Sequence, residues 1–122
     1  MIRGIGTDIV EIDRISNAIK KGFFLKKAFN DSEIDMAGGR NRDSFLAGNF
    51  ATKEAFVKAL GTGFRGVELK DLAVLRDELG KPFIKICNNS NRHLQGIDEN
   101  KIHVSISNTD SLAIAMVVIE TD

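Results

Sequence analysis

Hydrophobic positions change their period along the chain, and the changes divide it into elements. MIRGIGTDIVEI reads as an extended strand, because in that conformation side chains alternate between two faces. Ile5, Thr7 and Ile9 fall on one face and Gly4, Gly6, Asp8 and Val10 on the other. From Glu11 to Leu25 the period lengthens: Ile12, Ile15 and Ile19 recur at three and four, the spacing of a helix with one apolar stripe. Asn30 or Asp31 can cap a short helix to Ala37, ended by Gly38 and Gly39. Asp43 or Ser44 caps a long helix to Leu60, stopped at Gly61.

Beyond this helix the strand period returns. Leu72 to Arg76 and Phe83 to Cys87 are predicted strands around a turn at Glu78-Leu79-Gly80-Lys81-Pro82. Asn88 to Asn100 is polar and irregular, with room for a helical turn. Ile102 to Ser107 and Leu112 to Glu120 form a hairpin about Asn108-Thr109-Asp110-Ser111. Helices near the front and strands behind predict an α+β class, as one domain over residues 1–122. In the last strand Leu112, Ile114, Met116 and Val118 face one way, and Ala113, Ala115, Val117 and Ile119 the other. Both faces are apolar, so both are expected to be covered, one of them by a second subunit.

Composition narrows the class without naming a chemistry. Hydrophobic residues make up 43% and charged residues 28%, an ordinary soluble mixture. Seventeen basic and seventeen acidic residues cancel, so no global charge favours nucleic acid or an anionic membrane. Cys87 is alone and forms no internal disulfide, in keeping with a reducing cytoplasm. The N-terminus lacks the sustained apolar stretch of a signal peptide, and the longest apolar run, Leu112 to Ile119, is far too short to span a bilayer. Charge is uneven locally: from Arg14 to Ala28 the formal charges are Arg14, Lys20, Lys21, Lys26 and Lys27, with no acid. Such a stretch is either a solvated helix face or a docking patch for an acidic partner.

Two places carry candidate chemistry. Asp8 interrupts an apolar strand beside Gly4 and Gly6, where a ligand could approach the backbone. A twisted or bulged terminal strand with an acid at its exposed end fits the same residues. In SFLAGNFATKEAFVKALGTG, Ala47, Ala51, Glu54 and Lys58 share one helical stripe, so Glu54 and Lys58 have small neighbours. A plain Glu-to-Lys helix pair, worth roughly 0.2–0.5 kcal/mol, needs no function. The helix runs into Gly61-Thr62-Gly63-Phe64-Arg65-Gly66, which suits a loop along a ligand but lacks the Walker ending. Two carboxylates and a lysine are the minimum equipment for magnesium-assisted phosphoryl-type transfer: magnesium takes one or two carboxylates, waters and phosphate oxygens.

GIGTDIVEIDRI, FLAGNFATKEAFVKALGTG, GKPFI and HVSISNTDSLAIAMVVIE, in this order, resemble holo-acyl-carrier-protein synthase, the small bacterial type of phosphopantetheinyl transferase. The resemblance covers nearly the whole chain. It implies that family's fold, helices packed on a small mainly antiparallel sheet, and assembly as a homotrimer with sites between subunits. It implies transfer of the phosphopantetheine arm of coenzyme A to a serine of apo-acyl carrier protein, in fatty acid biosynthesis. Asp8 and Glu54 match magnesium ligands, and Lys58 matches a lysine that neutralises charge on the attacked phosphate. The proton acceptor stays open between a metal-associated water and a carboxylate such as Glu54.

Arg14 matches a carrier-docking arginine, extending to Lys20 and Lys21, because acyl carrier protein is small and acidic. Coenzyme A contacts are expected from Arg40, Arg42, Asn49, Lys58, Gly61, Thr62, Gly63, Lys81, Pro82, Ser107 and Asn108. Two positions depart from the family pattern: Asn49 stands where an arginine is usual, and Asn108 where a histidine is common. Asn108 hydrogen-bonds but carries no charge. His103, on the strand face of Ser105 and Ser107, is expected to be structural. The rival reading is a non-catalytic carrier- or nucleotide-binding protein on the same fold.

Overall fold

Gly4 and Gly6 explain how the molecule is assembled. In the computed structural model, which describes residues 1–121, the first strand β1 (Ile2–Glu11) lies under the long helix α4 (Arg42–Leu60). A Cβ added at Gly4 would overlap the carbonyl oxygen of Ala59, and one at Gly6 that of Ala55. The glycines therefore admit the helix backbone and not a ligand, which corrects the expectation drawn from the bare spacing. Asp8 shares that face and is brought against α4 by the same close packing.

Three strands build the main sheet in the order β1-β5-β4, all antiparallel, where β4 is Ile102–Asn108 and β5 is Leu112–Glu120. The two ends of the chain are thus neighbours, a pairing that local periodicity does not reveal. β2 (Leu72–Arg76) and β3 (Pro82–Ile86) form a separate antiparallel ribbon, so the sheet is split in two. Ala113, Ala115, Val117 and Ile119 of β5 are buried against α4, joined by Ala47, Ala51, Ala55 and Phe56 from the helix. Ala47 and Ala51 are therefore packing residues, and the small stripe beside Glu54 is not open room.

The remaining helices close the other side. The predicted helix over 11–25 is broken: α1 (Ile12–Lys20) buries Ile12, Ile15 and Ile19 and stops at Gly22, whose φ of 106° suits glycine. A short α2 (Phe24–Ala28) follows, then α3 (Asp31–Ala37), at whose start the backbone N–H of Asn30 donates to Glu33 Oε1 at 3.0 Å. α4 starts at Arg42, slightly earlier than the Asp43 or Ser44 cap predicts, and ends at Gly61 with φ of 89°. Single turns of 3₁₀ helix precede β2 and β4 at Leu69–Asp71 and Glu99–Lys101.

One polar network lies inside this core. Lys53, on α4 and wholly buried, donates to Glu33 Oε1 and to the carbonyl of Ala28, both at 2.7 Å. Asn49, one turn earlier, donates to Glu33 Oε2 at 2.9 Å and to the carbonyl of Val74 at 2.8 Å. The group ties α3, α4 and β2 together, and its members satisfy one another. Burial pulls the Lys53 ammonium below its ordinary range, and the adjacent Glu33 charge opposes that pull. The outer face of the sheet is the opposite case. Ile5 (62% exposed), Ile9 (58%), Ile114 (42%) and Met116 (45%) lie open, so the chain alone covers one face of β5 and not both.

Candidate active site

The contact of β1 with α4 brings the predicted acids and lysine together. Lys58 Nζ donates to Asp8 Oδ1 at 3.2 Å and to the carbonyl of Thr7 at 3.0 Å. Asp8 is largely shielded, with 17% of its side chain exposed, while Lys58 keeps 53%, so the pair opens outward on the lysine side. Glu54 stands one helical turn before Lys58 and is half-buried. Burial raises the Glu54 carboxyl above the ordinary carboxylate range, and the Asp8 charge raises it further; Lys58 and Arg14 pull it back. Two carboxylates that repel one another beside a half-exposed ammonium make a place where an added cation would relieve the repulsion.

The donor set fits magnesium in a particular way. Among the described residues there is no group of three or more His, Cys, Asp or Glu able to enclose a metal. Asp8 and Glu54 would thus supply two ligands, and the other positions would fall to water and to substrate oxygens, as hard octahedral cations prefer. Beside Glu54 opens a cleft of about 360 Å³ lined by Lys27, Phe50, Glu54, Phe64, Val67, Glu68 and Leu69, an apolar wall with charges at the rim. Thr62 and Gly63, beyond the end of α4, are half-buried, and Thr62 Oγ1 donates to the Gly63 carbonyl at 2.7 Å. Arg14, Lys20 and Lys21 are exposed along or just after α1.

A second hollow lies at the other end of α4. Its volume is about 410 Å³, and Asn41, Ser44, Phe45, Gly48, Arg76, Gly80, Pro82, Ile106 and Asn108 line it. The helix start, the β2–β3 turn and the end of β4 converge here, and Asn108 Nδ2 donates to Ser44 Oγ at 3.2 Å. Pro82 and Asn108 were expected at a binding pocket and share this one. Asn49 was expected there too and is not: it is wholly buried, and its amide is used by Glu33, Val74 and Arg76. Arg40 is exposed before α4, and Arg42 is held by its neighbour Asp43 at 3.3 Å. Lys81 and Ser107 are exposed, and neither lines this hollow. Ser44 and Arg76 do line it although sequence reading gave Ser44 only a capping role and Arg76 none, since a basic residue at a strand end carries no signal of its own. His103 pairs with Glu120 at 2.7 Å, away from both hollows.

The antiparallel sheet spanned by one long helix, which sets Asp8 against Lys58, is the fold of a phosphopantetheinyl transferase. The model of the 4′-phosphopantetheinyl transferase superfamily matches residues 4–117, and the chain belongs to that family. It is 48% identical to a holo-[acyl-carrier-protein] synthase of Clostridium perfringens over 98% of this chain and 95% of that protein. Its structure is similar to the synthase of Neisseria meningitidis, with a TM-score of 0.87 and 37% identity over 99% of this chain and all of that one. It is similar also to the Bacillus anthracis synthase in complex with CoA (3′,5′-ADP), with a TM-score of 0.82 and 35% identity over 100% and 99% of the two chains.

Proposed function

We propose that this protein transfers the phosphopantetheine arm of coenzyme A to a serine of apo-acyl carrier protein, as a magnesium-dependent holo-acyl-carrier-protein synthase. The observation that carries the reading is the convergence of Asp8, Glu54 and Lys58 at one open point, in a chain of this family. The serine oxygen forms a bond to the β-phosphorus of coenzyme A, and the bond from that phosphorus to the bridging oxygen breaks. Adenosine 3′,5′-bisphosphate leaves, and the serine proton passes to a carboxylate or water at the site.

Magnesium held by Asp8 and Glu54 would neutralise the pyrophosphate and orient it. Lys58 spends its charge on Asp8 in this structure, and its exposure lets it turn to a phosphate oxygen instead. Arg14, Lys20 and Lys21 form the landing surface for the acidic carrier, where opposite charge mainly speeds and orients encounter. The open apolar face of Ile5, Ile9, Ile114 and Met116 is where identical subunits meet, as a homotrimer with sites between subunits. No described helix is long and apolar enough to cross a membrane. With its single unpaired cysteine, the chain works as one domain in the cytoplasm.

The test is direct. Incubated with apo-acyl carrier protein, coenzyme A and magnesium, the protein should add one phosphopantetheine to the carrier, read by mass spectrometry. An unmodified carrier, where a known synthase modifies it, would refute the transferase and leave the non-catalytic binding protein. Omission of magnesium under chelation should stop the reaction.

A further inference from the structure

The loop that leaves α4 is fastened at both ends by different means. At its start the backbone N–H groups of Gly61, Thr62 and Gly63 all donate to the carbonyl of Val57, at 3.0, 3.2 and 3.2 Å. Residues 64–67 make no backbone-to-backbone hydrogen bond with any described residue. The far end is held instead by a side chain from the polar stretch after β3: Asn91 Nδ2 donates to the carbonyl of Gly66 at 2.6 Å. Phe64, Val67, Glu68 and Leu69, on either side of that bond, wall the cleft beside Glu54.

Asn91 is itself fixed. Its Oδ1 accepts from the backbone N–H of His93 at 2.9 Å, which leaves its amide nitrogen to Gly66 and to Asp71 Oδ2, the latter at 3.1 Å. Asp71 is 7% exposed and makes no ion pair among the described residues. It also accepts from Asn88 Nδ2 at 3.1 Å and from the backbone N–H of Glu68 at 2.9 Å. A buried carboxylate satisfied by neutral donors holds them by charge-assisted bonds, stronger than neutral ones. The His93 ring completes the grip. A Cβ added at Gly66, whose φ is 80°, would stand 2.8 Å from His93 Nε2, so the loop backbone bears directly on the ring.

We propose that Asn91 and His93 are positioning residues for coenzyme A, which fix the loop over residues 61–68 before the coenzyme arrives. This rests on the transferase reading, in which Thr62 and Gly63 of that loop contact the coenzyme. A loop ordered in advance loses less conformational freedom on binding, and affinity rises by that difference. Both residues act through the loop and not by contact.

Binding and exchange measured without turnover test the clasp apart from the chemistry. In Asn91→Ala on the full-length protein, hydrogen exchange over residues 61–68 should quicken. Calorimetry should show coenzyme A bound about 3–10-fold more weakly, the range of one lost hydrogen bond. In the transfer assay the KM for coenzyme A should rise by the same factor, with the KM for the carrier unmoved and the rate restored by saturating coenzyme A. A merely structural role would lower the rate at saturation instead. Thermal unfolding checks the variant, and His93→Ala, which removes the ring and keeps the Asn91 bonds, carries the test in the same direction if Asn91→Ala does not fold. Coenzyme A affinity unchanged in the folded variant, or a loss not restored by saturation, overturns the proposal. A wild type that binds coenzyme A but leaves the carrier unmodified would refute the transferase reading, with the effect of Asn91 on coenzyme A affinity still standing.

Discussion

Lys53 and Glu54 are adjacent in sequence and opposite in role. Lys53 is wholly buried, held at 2.7 Å from Glu33 and closed to any ligand. Glu54 lies on the next 100° of the helix, half-buried, in the field of Asp8, Lys58 and Arg14. Each cluster contains a lysine and a carboxylate in contact, so pairing alone does not distinguish structure from site. Solvent does. Every buried polar atom of the inner pair has a protein partner, whereas the outer one leaves Lys58 half exposed and two carboxylates repelling one another. A structural ion pair is complete without a ligand, and a site is not.

The largest expected effect tests the outer cluster. Asp8→Ala or Glu54→Ala should reduce carrier modification by at least about 10²–10³-fold, the cost of removing one preorganised electrostatic group, while melting stays close to wild type. Near-normal turnover in either variant would remove that residue from the proposed metal site. The inner cluster should respond the other way. Lys53→Ala leaves Glu33 buried without its partner and should lower stability by about 3–5 kcal/mol in urea unfolding. The double change Lys53→Met with Glu33→Leu should recover much of that loss; if it does not, the pair contributes more than mutual neutralisation.

Docking variants are expected to have smaller effects. Lys20→Glu with Lys21→Glu should raise the KM for the carrier several-fold and leave that for coenzyme A nearly unchanged. Arg14→Glu should do the same and also lower kcat, because it places a negative charge where Arg14 now supports ionised Glu54. An unchanged carrier KM in both would make this a merely solvated face.

The smallest effect is one of pH. The Glu54 carboxyl titrates above its unfolded value, so its contribution to stability is present below about pH 4, where it is protonated in both states. That contribution is lost as pH rises through the folded value. In chelator at neutral pH, Glu54→Gln should therefore melt slightly above wild type, with the gap closing toward pH 4. Added magnesium should raise the wild-type melting temperature and leave the variant's unchanged.

Much of the fold was legible because period reports burial. Ile12, Ile15 and Ile19 are buried as their spacing predicts, and β5 runs over Leu112–Glu120 as read. The α1 break at Gly22 was missed because the apolar period continues across it, while the helix ends on a glycine conformation. Asp8, Glu54 and Lys58 stood out as charges beside small residues, yet the glycines and alanines around them serve helix packing. The structure brings the three together, but by helix packing and not by the open room that the spacing suggested.

By itself, the sequence determined the order and type of the main elements, the apolar faces and the three charged residues of the proposed site. Those follow from periodicity and side-chain chemistry, which are local. Tertiary structure decided which of two adjacent residues faces solvent, that β1 lies beside β5, and that Asn49 is in the core behind Arg76. Those depend on which surfaces meet, and contact between Thr7 and Lys58, or Asn49 and Arg76, is made by folding across tens of residues. GIGTDIVEI carried the acid; the close seat of α4 on its two glycines gave that acid its lysine.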